Sequence, residues 1–192
     1  MSQGSIERMG LAQTAQSSDE DDKKYSLWFD VFLDTVDIHK RASRRNAYGP
    51  VLLAFEIELL KEYTGAIWVT RLNPTKWEGR EHGDRWFAST AELRSGFKAA
   101  EFDQMIVFRH CGGELPFEGH LAEIVLDDPK LKRTDADIDY FSMAYGALRL
   151  AMTEGGVEVP IRKRACSAKC SCVKEYQANE DSSKMLYVPW ET

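Results

Sequence analysis

A chain of 192 residues, 43% of them apolar, has enough material to bury a core, which excludes a wholly disordered protein. Its formal net charge of −6 excludes nucleic-acid binding by bulk electrostatics. No apolar run approaches the ~20 residues that span a bilayer, and the first twenty lack the apolar segment of a secretory signal. The expectation is a cytoplasmic protein, not a membrane one, with reduced thiols.

In chain order, residues 1–24 are polar, show no sustained period and read as a disordered leader. A core domain is expected over 25–161, and a basic, cysteine-containing tail over 162–192. Tyr25 to Val36 carries Trp28, Phe29, Val31, Phe32 and Leu33 on a wide apolar face, which suits a short packed helix. Asp37 to Asn46 is basic (His39, Lys40, Arg41, Arg44, Arg45) and runs into the strand Val51 to Phe55. Arginines delivered onto a buried strand suit a phosphate clamp, since the guanidinium makes bidentate contacts; a solvated turn is the blander reading.

Glu56 to Tyr63 reads as one or two helical turns, Ala66 to Arg71 as a strand, and Asn73-Pro74 as its stop. Thr75 to Arg85 reads as an exposed loop. Ser89 and Glu92 have capping-box spacing, so a helix is predicted to about Phe97. Phe102 to Pro129 carries the densest strand signal and reads as the scaffold of any site. Within it, Met105 to Phe108 and Leu121 to Leu126 are strands, with Gly112-Gly113 turning the chain between them. Glu101, Asp103 and Gln104 stand at the entrance of the first strand, where folds often place chemistry. A helix is expected over Asp135 to Thr153, with Ile138, Phe141, Tyr145, Leu148 and Met152 at helical spacing. Val157 to Ile161 adds a strand, and Met185 to Trp190 an edge. The fold class is α+β, a small mixed or split sheet flanked by helices.

Cys166, Cys170 and Cys172 make the best metal candidate, with a fourth ligand from Cys111 or His110. The spacing differs from the usual two-residue cysteine pairs, so a reduced tail without zinc is the favoured expectation, and no metal ligand is assigned. Asp135, Asp137 and Asp139 fail as a calcium loop, because Tyr140 and Gly146 occupy positions that need glycine and glutamate.

Three pieces together resemble ADP-ribosyltransferase-like proteins of bacterial toxin, antitoxin-linked and phage contexts: Ser43-Arg44-Arg45-Asn46 with its strand, Gln104 to Val107, and Leu115-Pro116-Phe117 with Leu121 to Leu126. The resemblance covers residues 40–127. It implies a split-sheet cleft and NAD as substrate, with ADP-ribose passed to a protein or nucleic-acid acceptor or NAD simply hydrolysed. It places Arg44 or Arg45 on the pyrophosphate, and Ser43 and Asn46 beside them in the NAD pocket. Gln104 stands where the family has glutamate, and an amide cannot supply the negative charge; Asp103 or Glu101 would substitute. Two other classes remain open. One is a metal-dependent nuclease built on Asp30, Glu56, Glu58 and Asp127 with Lys61 or Lys130. The other is a non-catalytic interaction module, contacting nucleic acid through Arg162, Lys163, Arg164, Lys169 and Lys174, or contacting protein.

Overall fold

The computed structural model describes residues 24–27, 30–46, 48–111, 115, 119–133 and 137–189. The leader apart from Lys24, the Gly112-Gly113 turn, Pro116-Phe117, Trp28, Phe29 and Asp135 lie outside these residues. In chain order the described elements are β1 (Val31–Leu33), α1 (Ile38–Ala42), β2 (Val51–Phe55), α2 (Glu58–Glu62), β3 (Ile67–Val69), a 3-10 turn (Pro74–Lys76), α3 (His82–Arg85), α4 (Thr90–Gly96), β4 (Ile106–Phe108), β5 (Leu121–Leu126), α5 (Tyr140–Glu154), β6 (Ile161–Lys163), α6 (Cys172–Ala178) and α7 (Glu180–Tyr187). Helices and two small three-stranded sheets make an α+β protein, as the pattern of the sequence predicts. No described helix is long and apolar enough to cross a membrane.

The chain divides into two compact units. Among the described residues, a middle unit is drawn from 24–41 and 60–115, and a C-terminal unit from 42–59 and 119–189. This differs from a single core over 25–161 followed by a tail. The expected scaffold of Phe102 to Pro129 is also corrected. β4 and β5 do not pair; each belongs to a different sheet in a different unit.

In the middle unit β4 is central, with β1 and β3 antiparallel on either side. Val31 to Leu33 is therefore a strand where a helix is predicted. Its β-branched and aromatic residues pair with Ile106 to Phe108, and that partner decides the conformation of an ambiguous apolar run. Trp77 comes from the predicted exposed loop yet is fully buried, with its indole N–H donating to Leu72 O at 2.8 Å. Its ring packs edge-on against Trp86 at 4.9 Å, and Trp86 against Trp68 at 5.1 Å. Arg109 lies 4.3 Å from the Trp68 ring centre, and its Nε sits 2.5 Å from Asp30 Oδ2 with both side chains buried. Ser89 caps α4 as predicted, its hydroxyl accepting from Glu92 N at 3.2 Å.

In the C-terminal unit β5 is central, antiparallel to β2 and parallel to β6. The predicted strand Val157 to Ile161 begins only at Ile161, where β6 pairs with Ile124 to Leu126. α5 is capped by Asp139, whose carboxylate accepts from Ser142 N at 2.8 Å. Its buried stripe is Tyr140, Ala144, Ala147, Leu148, Ala151 and Met152. Ile138 and Tyr145, predicted on the core face, are exposed instead. The segment expected as a tail contributes to the same core: Cys172, Tyr176 and Tyr187 are buried there with Ile124 and Leu126. Met185 to Tyr187 ends α7 and is not an edge strand.

Two outcomes follow from this packing. Arg109→Leu strands a buried carboxylate at Asp30, and guanidinium unfolding should show a loss of about 3–5 kcal/mol. The Ser142 N–H, against a smaller opposing effect of burial, holds the Asp139 carboxyl below its usual range. A depressed carboxyl stabilises the fold above its unfolded pKa and loses that contribution as pH falls through the folded value. Asp139→Ala should therefore lower thermal stability at neutral pH, with the difference from wild type shrinking on acidification below about pH 4.

Candidate metal centre

The loop from Arg164 to Ser171 carries Cys166 and Cys170, leads into Cys172, and is clamped at both ends within the C-terminal unit. At its start Arg164 N donates to Leu126 O at 2.8 Å, and Arg164 Nε donates to Asp127 Oδ1. Asp127 is buried at the end of β5 and also accepts the Tyr176 hydroxyl at 2.7 Å. At the loop's end Ser171 N donates to Ser43 O at 2.9 Å. Cys170 N donates to Ser167 O at 3.0 Å, closing a turn that folds Cys170 back over the core. Cys172 opens α6 and is 1% exposed.

The result is a convergence of thiols. Cys166, Cys170 and Cys172 bring their Sγ atoms within 4.8 Å of one another, with Cys166 and Cys172 at 3.3 Å. Four sulphurs at tetrahedral zinc, each at ~2.3 Å from the metal, stand about 3.8 Å apart, so the observed spacing needs only side-chain adjustment. Burial pushes the Cys166 and Cys172 thiols up, and their sulphur neighbours push the Cys172 thiol up further. Three adjacent sulphurs cannot all ionise unless a cation joins them. The chemistry of the set, three soft donors on a clamped loop, therefore fits zinc.

The expected fourth ligands, His110 and Cys111, belong to the middle unit. There His110 N donates to Asp30 Oδ1 at 2.6 Å, and the Cys111 thiol lies 3.5 Å from Phe108 O as donor. Sequence reasoning found the three thiols. It singled out Ser43 only for an NAD pocket and missed that its carbonyl fixes the loop, because a backbone acceptor leaves no mark in residue type.

The residues expected to bind NAD fall into two groups. Ser43, Arg44, Arg45 and Asn46 lie in the C-terminal unit, and Glu101, Asp103 and Gln104 in the middle unit. Ser43 has φ of 48° and serves the cysteine loop. Arg45 lies 5.7 Å from the Tyr176 ring centre, Arg44 is exposed, and Asn46 accepts from Tyr48 N at 3.0 Å. Gln104 uses both ends of its amide on backbone: Oε1 accepts from Lys98 N at 2.6 Å and Nε2 donates to Gly96 O at 3.1 Å. Asp103 accepts from Asn73 N at 3.1 Å and from Lys76 Nζ at 2.9 Å. Burial raises its pKa, but Lys76 and the Asn73 N–H outweigh that and hold the carboxyl below its usual value. Glu101 is exposed, and its backbone N–H donates to Lys98 O at 3.2 Å.

The basic segment and the scattered acids have similar fates. Arg162 pairs with Glu123, Lys163 with Asp128 at 2.8 Å, and Arg164 with Asp127. Three of the five cations expected to meet nucleic acid are thus matched by carboxylates of β5 and the residues just after it. Asp30 pairs with Arg109 within the middle unit and Asp127 with Arg164 within the C-terminal unit, while Glu56 and Glu58 are exposed. Comparison with family models, with curated proteins and with solved structures finds no match for this chain.

If Gln104 acts as a brace, Gln104→Ala frees the backbone at Gly96 and Lys98. Amide exchange at the end of α4 should speed up, with little change in the C-terminal unit.

Proposed function

We propose that the protein is a zinc-binding, non-catalytic interaction module, in which the metal locks the loop before α6 onto the C-terminal sheet. The observation that supports this reading is the convergence of Cys166, Cys170 and Cys172 Sγ atoms within 4.8 Å. Zinc has no redox chemistry of its own and takes four ligands in structural sites. Three thiolates define its position, and one further donor completes the tetrahedron. Metal binding would then be linked to folding: the bound form is stabilised, and chelation loosens α6.

Purified protein, made without added metal, should contain one zinc per chain by elemental analysis. Cys166→Ser, Cys170→Ser and Cys172→Ser should each lose it, while Cys111→Ser keeps it. Single alanine variants at His39, His82, His110 and His120 show whether a histidine is the fourth donor. Zinc retained by all three cysteine variants would sink the proposal.

Transfer of ADP-ribose from NAD is the second reading. It draws on the Asp103 carboxyl being held ionised at the entrance of β4, as a charge-stabilising group needs. Release of nicotinamide from NAD by the purified protein, abolished in Asp103→Ala, would favour it over the non-catalytic reading. No release and no heat of NAD binding are the expected results.

A further inference from the structure

The three thiols are not equivalent. Cys166 is exposed, Cys170 is half-buried, and Cys172 is 1% exposed at the first turn of α6. The most accessible of the three cysteines and the least accessible one bring their sulphurs to 3.3 Å. A disulfide requires about 2.05 Å between sulphurs, so Cys166 needs only a small side-chain movement on its loop. An accessible thiol beside a buried resolving thiol is the arrangement of an oxidation-sensitive site.

We infer that Cys166 is a modification site: hydrogen peroxide oxidises it, Cys172 resolves it as a Cys166–Cys172 disulfide, and the zinc is expelled. The inference rests on the zinc reading above, because the metal holds the sulphurs as thiolates, the form that reacts. The Cys166 thiolate attacks one peroxide oxygen, breaking the O–O bond; the sulphur becomes a sulfenic acid and hydroxide leaves. The Cys172 thiolate then attacks that sulphur, forming the S–S bond and releasing a second hydroxide. Two protons from solvent convert both hydroxides to water. Two electrons pass from the sulphur pair to peroxide, and zinc, left with Cys170 as its one cysteine ligand, dissociates.

The pair is also placed to transmit its state. Cys172 and Tyr176 lie one turn apart on α6, and the Tyr176 hydroxyl donates to Asp127 at 2.7 Å. The anchored start of the loop, Arg164, pairs with the same carboxylate. A disulfide joins the loop covalently to the helix and so replaces the metal as the fastening.

The test uses the full chain loaded with zinc and treated with hydrogen peroxide. A chromogenic chelator follows zinc, and peptide mapping by mass spectrometry follows the thiols. The expected result is one zinc released per disulfide formed, a Cys166–Cys172 cross-linked peptide, and recovery of zinc binding after dithiothreitol. Cys170→Ser, treated in parallel, should form the same cross-link more slowly than the zinc-loaded protein, because without the metal fewer of the thiols are ionised. A zinc-loaded protein that gives a link through Cys170, or irreversible sulfinic acid at Cys166 without any disulfide, overturns the inference while leaving the zinc reading intact. A protein that holds no zinc but forms the Cys166–Cys172 link overturns the zinc reading and the expulsion step together, leaving only the cross-link.

Discussion

The buried carboxylate of Asp127 is the point on which the C-terminal unit depends. It stands at the end of β5, accepts from Arg164 beyond β6 and from Tyr176 on α6, and so joins three pieces of chain at one charge. Burying a carboxylate is costly unless it is paired and hydrogen-bonded, and here both conditions are met. A buried pair of this kind is weak evidence for net stability. It is better evidence for uniqueness, because an alternative packing of α6 would leave the charge without its donors. Burial and the adjacent Asp127 charge both push the Tyr176 hydroxyl up, so it stays protonated and keeps donating.

That constraint explains why a loop rich in small and charged residues holds three sulphurs together. Its first residue is fixed by Asp127 and Leu126, and its last by the Ser43 carbonyl. Between these anchors the chain is short enough that Cys166 and Cys170 stay near Cys172. A ligand set positioned in advance lowers the ordering entropy that metal binding must overcome.

The same economy of charge runs through the middle unit. Asp30 and Arg109 form a buried pair, with the guanidinium against Trp68 and Trp86, where both cation–π attraction and exclusion of water strengthen it. Asp103 and Gln104 hold the segments beside them through backbone groups. Polar residues at strand ends thus serve the fold in both units. The residue types of a basic turn and a strand-entry carboxamide are also those a small sheet uses to terminate its strands.

Much of the secondary structure was legible in the sequence. The strands Val51 to Phe55, Ile106 to Phe108 and Leu121 to Leu126, the capped helix after Ser89 and the helix after Asp139 follow from local propensity and capping. The tertiary structure decided the rest. Val31 to Leu33 became a strand because β4 offers it a partner, and Trp77 entered a core that its charged neighbours conceal in sequence. The apolar runs 106–108 and 121–126, adjacent in the chain, went to separate sheets, and the segment after Pro160 became core rather than tail. Local sequence sets which conformations are cheap and which residues are soft donors. It does not say which distant backbone carbonyl, such as that of Ser43, will hold a loop closed. Such a contact is long-range, carries no side-chain signature, and exists only once the chain has folded.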